Sequence, residues 1–171
     1  MIEDFAQLLK KAVSGDSAAM NMLLAYFQEQ AVSPEEQLEA HVYLKRVSHD
    51  SHYAIYLRGM FYQYGYGIKQ DLDMSFLLMR EAASKGNAKA TYEVGKHFLQ
   101  GLGVEQNYQS AWQWLKIAAG SPHYVPEAMF EMGRLYEQGL GVSADPVQAK
   151  EWYEKAAQKG LAEAKEVLAK M

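Results

Sequence analysis

A chain of 171 residues with 17 lysines and arginines against 21 aspartates and glutamates has a formal net charge of −4. Its basic side chains are spread among the acids, so no stripe is available to neutralise a run of phosphates, and nucleic acid is excluded as a partner. It has no cysteine, which removes disulfides and thiolate metal sites, and no segment approaches the roughly 20 apolar residues that span a bilayer.

The N-terminus has acids at Glu3 and Asp4 and no long apolar run, so it does not read as a signal peptide. The expected location is the cytoplasm, without membrane insertion. Residues 2–13 place Ile2, Phe5, Leu8, Leu9 and Val13 on one helical face, and Gly15 stops that helix, which reads as an N-terminal cap over 1–15. Asp16 can N-cap a helix through Gln28, and Ser33-Pro34-Glu35-Glu36 is a capping-box start for a helix through about Val47. This pair, 16–51, has the length of one repeat but lacks the glycines of the later ones.

Three clearer units follow, at 52–87, 88–125 and 126–161, each predicted to hold two helices, A and B. Gly59, Gly95 and Gly133 stand at equivalent places 36 and 38 residues apart. The A helices are expected to end at Gly65, Gly101 and Gly139, with a second glycine two residues on. Asp71, Asn107 and Asp145 then stand where a B helix needs its N-cap, and the B helices close on Ala82-Ala83, Ala118-Ala119 and Ala156-Ala157. The segment Ser121-Pro122-His123-Tyr124-Val125-Pro126 adds two residues to one unit, which predicts a wider turn and a local kink. Residues 162–171 begin one more helix with Ala164 at the repeat's alanine position and read as a C-terminal cap.

From Ala128 to Gly160 the pattern A-x4-G-x2-Y-x2-G-x-G-V-x2-D-x3-A-x2-W-Y-x-K-A-A-x2-G resembles the Sel-one-like repeat (SLR), a relative of the tetratricopeptide repeat (TPR). The resemblance covers about 52–161 and extends weakly to 16–51. It implies an all-α fold: a right-handed α/α solenoid of helix-turn-helix repeats with capping helices at both ends, over 1–171. It further implies a protein-binding adaptor without catalytic residues or cofactors; some bacterial members look like immunity proteins for secreted toxins, which is the alternative reading.

In such solenoids the A helices line the concave side. One column, Ala18, Ala54, Ala90 and Ala128, reads as core, and another holds Tyr26, Tyr62, Phe98 and Tyr136. A second stripe is polar in two repeats: Lys89, Glu93, Lys96, Gln100 in one and Glu127, Glu131, Arg134, Gln138 in the next. In the repeat over 52–87 the same stripe reads Tyr53, Leu57, Met60, Tyr64, with Leu24 beside it. An exposed apolar stripe marks an interface. Tyr53, Leu57, Met60 and Tyr64 are therefore candidate anchors for a partner protein or peptide, with Lys96 and Arg134 steering its acids. The alternative is that the divergent first pair packs differently and buries the stripe. Arg58, costly if buried unpaired, is expected to reach an acid or the groove edge. Four helix pairs at roughly 10 Å each would give a groove about 40 Å long, enough for an extended segment of about 12 residues. Phe76 and Trp112, at a B-helix column that holds Lys150 later, form a second candidate patch for weak self-association or lateral docking; the alternative is packing between repeats.

Catalytic and metal chemistry find little purchase, so an enzyme is the weaker alternative to an adaptor or an immunity protein. His49-Asp50-Ser51-His52 lacks a third and fourth ligand at useful spacing and reads as a solvated turn. His97 shares a column with Phe61 and Leu135 and reads as a semi-buried packing residue. The GYG and GLG segments follow helices, whereas a phosphate cradle needs strand, loop, helix in that order.

Overall fold

The computed structural model describes residues 5–29, 31–120 and 122–171. Ile2, placed above on the first helical face, and Ser121, in the wider turn, lie outside these residues. Among the described residues the secondary structure is ten helices with no strand. They fall into two compact units, Met1–Asn87 and Ala88–Met171.

The first unit holds α1 (Phe5–Val13), α2 (Ser17–Gln28), α3 (Pro34–Val47), α4 (His52–Tyr64) and α5 (Leu72–Ser84). The second holds α6 (Ala88–Gln100), α7 (Tyr108–Ala119), α8 (Pro126–Gln138), α9 (Pro146–Gln158) and α10 (Ala162–Leu168). Local chemistry sets most of these boundaries. The carboxylate of Asp16 accepts from Ala19 N at 2.9 Å, and Ser33 with Glu36 forms a reciprocal capping box. Asp71, Asn107 and Asp145 cap α5, α7 and α9 in the same way. Helices α4, α6 and α8 each stop on a left-handed glycine: Gly65 at φ 74°, Gly101 at 69° and Gly139 at 68°.

The mid-helix glycines have a packing cause. A Cβ on Gly59 would meet Met79, one on Gly95 would meet Leu115, and one on Gly133 would meet the ring of Tyr153. In all three the intruding side chain lies twenty residues further on, in the partner helix. Each repeat is thus a hairpin in which the B helix drops one large residue onto a bare patch of the A helix. Accordingly α4 packs on α5, α6 on α7 and α8 on α9. In the second unit a core runs from Leu115 and Ala118 of α7 through Met129, Met132 and Leu135 of α8 to Ala156 of α9, and Ala164 of α10 seals its end.

The beginning of the chain follows a different arrangement. Helix α1 packs on α2, α3 and α4, and α3 packs on α4, while α2 and α3 do not pack extensively on one another. Ser51 Oγ donates to Val13 O at 2.5 Å, and the ring of Tyr53 lies over Gly15. Helix α2 is rotated with respect to its repeat register. Ala18, assigned to the core column, is exposed, and Ala19 and Met20 are buried in its place, whereas Ala54, Ala90 and Ala128 are buried as expected. Met22, equivalent to the buried Val94 and Met132, is 51% exposed. In the longer turn after α7, Tyr124 takes φ 50° and Val125 N donates to Ala118 O at 2.9 Å. The predicted kink concerns a turn that includes Ser121 and is left without description. No helix among the described residues is long and apolar enough to cross a membrane.

Candidate functional site

The apolar stripe of α4 is mostly a buried surface. Leu57 is fully buried and Met60 is 5% exposed, which corrects their assignment as exposed anchors. Helix α1 packs against α4, and Gly15, just past its end, lies against the ring of Tyr53 at the N-terminal end of the stripe. At the equivalent places in α6 and α8 stand Glu93 with Lys96 and Glu131 with Arg134, ion-paired at 3.1 and 3.2 Å. At these places α4 therefore carries a buried Leu–Met pair where the later A helices carry a salt bridge. Glu93 is itself buried, against the expectation of a solvent-facing column. Lys96 and Arg134 are each engaged by a glutamate three residues back, which reduces the charge they offer a partner.

Arg58 is half-buried and, among the described residues, forms no ion pair with a carboxylate. Its guanidinium Nη1 donates to Ser48 Oγ at 3.0 Å, at the C-cap of α3, where the helix dipole favours a cation. Within the chain it meets a hydroxyl; the expectation was a partner acid or the groove edge. His41 stands nearby, and burial, then Arg58 and Lys45, hold its pKa below the ordinary histidine value. Phe76 is buried, which corrects its placement in an exposed patch: the guanidinium of Arg80, one turn on, lies over its ring. Trp112 is half-buried under Lys116 Nζ, 4.6 Å from the ring centroid.

Of the predicted anchors, Tyr53 is half-buried and Tyr64, at 45%, is exposed. Tyr64 stands on the rim of a cleft of about 580 Å³ between the ends of α2 and α4 and the start of α3. The cleft exists because α2 and α3 do not close on one another as the later hairpins do. Phe27, Tyr66 and Tyr64 form a ladder of near-parallel rings across it, with centroids 5.0 Å and 5.5 Å apart and planes inclined by 21° and 25°. Below the ladder, Phe27 meets Phe61 and Phe5 edge to face. Val32 and Pro34 add apolar wall; Gln28 and Gln37 add the polar groups, and Gln37 Nε2 donates to Val32 O at 3.0 Å. Among the described residues no acidic or basic side chain lines this cleft. Phe27, Tyr66 and the two glutamines escaped the sequence reading. The available signal was Tyr66 between Gly65 and Gly67, where the later repeats carry Leu102 and Leu140.

An equivalent cleft of about 230 Å³ occurs in the second unit. Leu99 and Gln100 stand in the places of Phe27 and Gln28, Gln138 and Leu140 in those of Tyr64 and Tyr66, and the Glu131–Arg134 pair forms part of its wall. Close by in sequence, His97 is fully buried and its Nδ1–H donates to Leu102 O at 2.5 Å. Burial is the main cause of its lowered pKa, the Leu102 carbonyl acting in the opposite sense. The sequence reading had it semi-buried. His49 is exposed, and His52 Nδ1 lies 3.2 Å from the Asn87 amide. No cluster of metal-binding side chains occurs among the described residues.

Helix hairpins recurring every 36 to 38 residues, closed by glycine and packed through alanine, define an α/α-solenoid repeat protein. The chain belongs to the Sel1 repeat family, whose model matches residues 52–87, 88–122 and 126–161. It is similar to the Sel1 repeat protein from Oxalobacter formigenes, at 27% identity over 99% of this chain and 74% of that one, with a TM-score of 0.76. It is also similar to c5321, a protective antigen present in uropathogenic Escherichia coli strains displaying an SLR fold. There the identity is 28% and the TM-score 0.72, over 94% of this chain but only 34% of the antigen, so the chain spans about a third of that protein. Cysteine-rich protein B of Helicobacter pylori shares the fold, with 22% identity and a TM-score of 0.58 over 73% of this chain and 94% of that one. A comparison with curated proteins gave no match. Sel1 repeat proteins generally mediate protein–protein interactions, and the fold is typically a non-enzymatic scaffold.

Proposed function

We propose that this protein is a non-enzymatic adaptor that binds a partner protein or peptide on the surface formed by its A helices and the loops that end them. The observation that carries this reading is Tyr64. The glycine, alanine and capping framework is the same in the three matched repeats, yet at this exposed place one repeat has a tyrosine where the others have Gln100 and Gln138. Exposed tyrosine at the rim of an aromatic cleft is the residue type that anchors interfaces at small entropic cost. Tyr53 and Arg58, half-buried on the same helix, complete the proposed contact set of the first unit, with Leu57 and Met60 supporting α4 from within; in the second unit Lys96 and Arg134 are proposed as a contact set of their own.

Site-specific photo-crosslinking in cells of the native host tests this. A photoreactive phenylalanine derivative at position 64 is expected to give a discrete higher-mass adduct. The same group at Val147, which is exposed on α9, is expected to give none. Adducts at both positions alike, or at neither, would overturn the proposal.

A further inference from the structure

The chemistry of the first unit's cleft is narrower than that of a general protein-binding surface. Its rings offer flat apolar faces, of which only Tyr64 and Tyr66 reach the opening, since Phe27 is 2% exposed. Its polar groups are well placed to donate. Tyr64 Oη accepts from Gln63 Nε2 at 3.3 Å, which leaves its own hydrogen to give. Gln37 uses one amide hydrogen on Val32 O and has a second, and Gln28 is exposed. The lining holds no charge to pair with an acid or a base, so a charged segment would be desolvated here without compensation.

A ligand matched to this cleft is uncharged, presents flat apolar rings or methylene faces, and offers carbonyl oxygens to these amide and hydroxyl donors. Polyproline II chain meets all of these conditions, because proline lacks the N–H, its ring packs on aromatic faces, and the extended helix leaves every carbonyl unpaired at about 3.1 Å per residue. We propose that the cleft between α2, α3 and the end of α4 binds a proline-rich segment of a partner protein, with Tyr64 and Tyr66 as the stacking faces and Gln28 and Gln37 as donors to its carbonyls. The volume of about 580 Å³ suits a few residues of such a segment. The equivalent cleft of the second unit, smaller and walled by Glu131 and Arg134, serves as a control within the same molecule.

This inference rests on the protein-binding reading and is tested separately from it. The probe is a capped, fluorescein-labelled oligoproline of about ten residues, titrated by fluorescence anisotropy with the full chain. A matched peptide with aspartate at alternate positions is the comparator. Saturable binding of oligoproline over the acidic peptide is expected. Tyr64→Ala should weaken it about tenfold or more, Gln28→Ala should weaken it less, and Val147→Ala, exposed on α9, should leave it unchanged. Both Tyr64 and Gln28 are exposed, so these variants are expected to keep the parent's melting temperature. Absence of saturable oligoproline binding, equal binding by Tyr64→Ala, or preference for the acidic peptide would each overturn the inference. If crosslinks form at position 64 while oligoproline does not bind, the adaptor reading stands and the cleft takes another kind of chain. If neither occurs, both fall.

Discussion

Gly133 illustrates how tightly single residues are tied to this repeat. A Cβ there would lie 2.5 Å from Tyr153 Cε1, and the ring cannot easily yield because its hydroxyl donates to Glu137 Oε2 at 2.8 Å. Burial, and then this bond to Glu137, push the Tyr153 pKa far above its ordinary value, so the hydroxyl stays protonated, and a donor, through the range in which an ordinary tyrosine titrates. Gly133→Ala is expected to destabilise the protein by about 1–3 kcal/mol in chemical denaturation. Gly59→Ala meets the flexible end of Met79 instead and should cost less. The reverse order would show that the Tyr153 ring is not what fixes Gly133. These glycines were legible as a recurrence in the sequence. Their cause was not, because it lies on the facing helix and depends on how the hairpin closes.

At the scale of elements, the caps and helix ends were readable because each depends on residues within one turn: Asp71, Asn107, Asp145 and the left-handed glycines fall where they were expected. The fate of Leu57 and Met60 was not, since nothing local distinguishes an apolar stripe that meets solvent from one that meets another helix. Here α1 packs on both α4 and α2, and α2 is itself rotated by one residue from the repeat register. Leu57→Ala should therefore lower the unfolding free energy by about 2–5 kcal/mol. A substitution within about 0.5 kcal/mol of the parent, the usual range for a surface position, would contradict its burial. Tyr53→Ala removes the ring that lies over Gly15. A nine-residue helix is marginal without tertiary support. In this variant, faster hydrogen exchange is expected in α1 while α8 and α9 stay protected. Unchanged exchange in α1 would show that Tyr53 does not hold it.

For the molecule as a whole, the all-α repeat architecture was legible from the spacing of glycines and alanines, and the Sel1 family model falls on the same three repeats. What the sequence could not convey is the cleft left open where α2 and α3 fail to pair. Stability should also depend on pH. His41, His52 and His97 all have pKa values lowered from 6.5, in each case chiefly by burial. As pH falls through that value the unfolded chain binds protons that the folded protein refuses. Stability is therefore full above the unfolded pKa and declines below it. Melting temperature is expected to fall between about pH 7 and about pH 5, and His97→Gln should flatten part of that slope. An identical slope in the variant would remove His97 from the account.

The ladder of Phe27, Tyr66 and Tyr64 also gives the first unit an optical signature. All three tryptophans, Trp112, Trp114 and Trp152, lie in the second unit, whereas the stacked rings lie in the first. Indole fluorescence therefore follows the state of residues 88–171. Coupled phenol transitions held at a fixed tilt add near-ultraviolet circular dichroism from residues 1–87 to that of the tyrosines and tryptophans of the second unit, while the indole emission reports the second unit by itself. Loss of the outer ring in Tyr64→Ala should dim the tyrosine band and leave the tryptophan emission where it was.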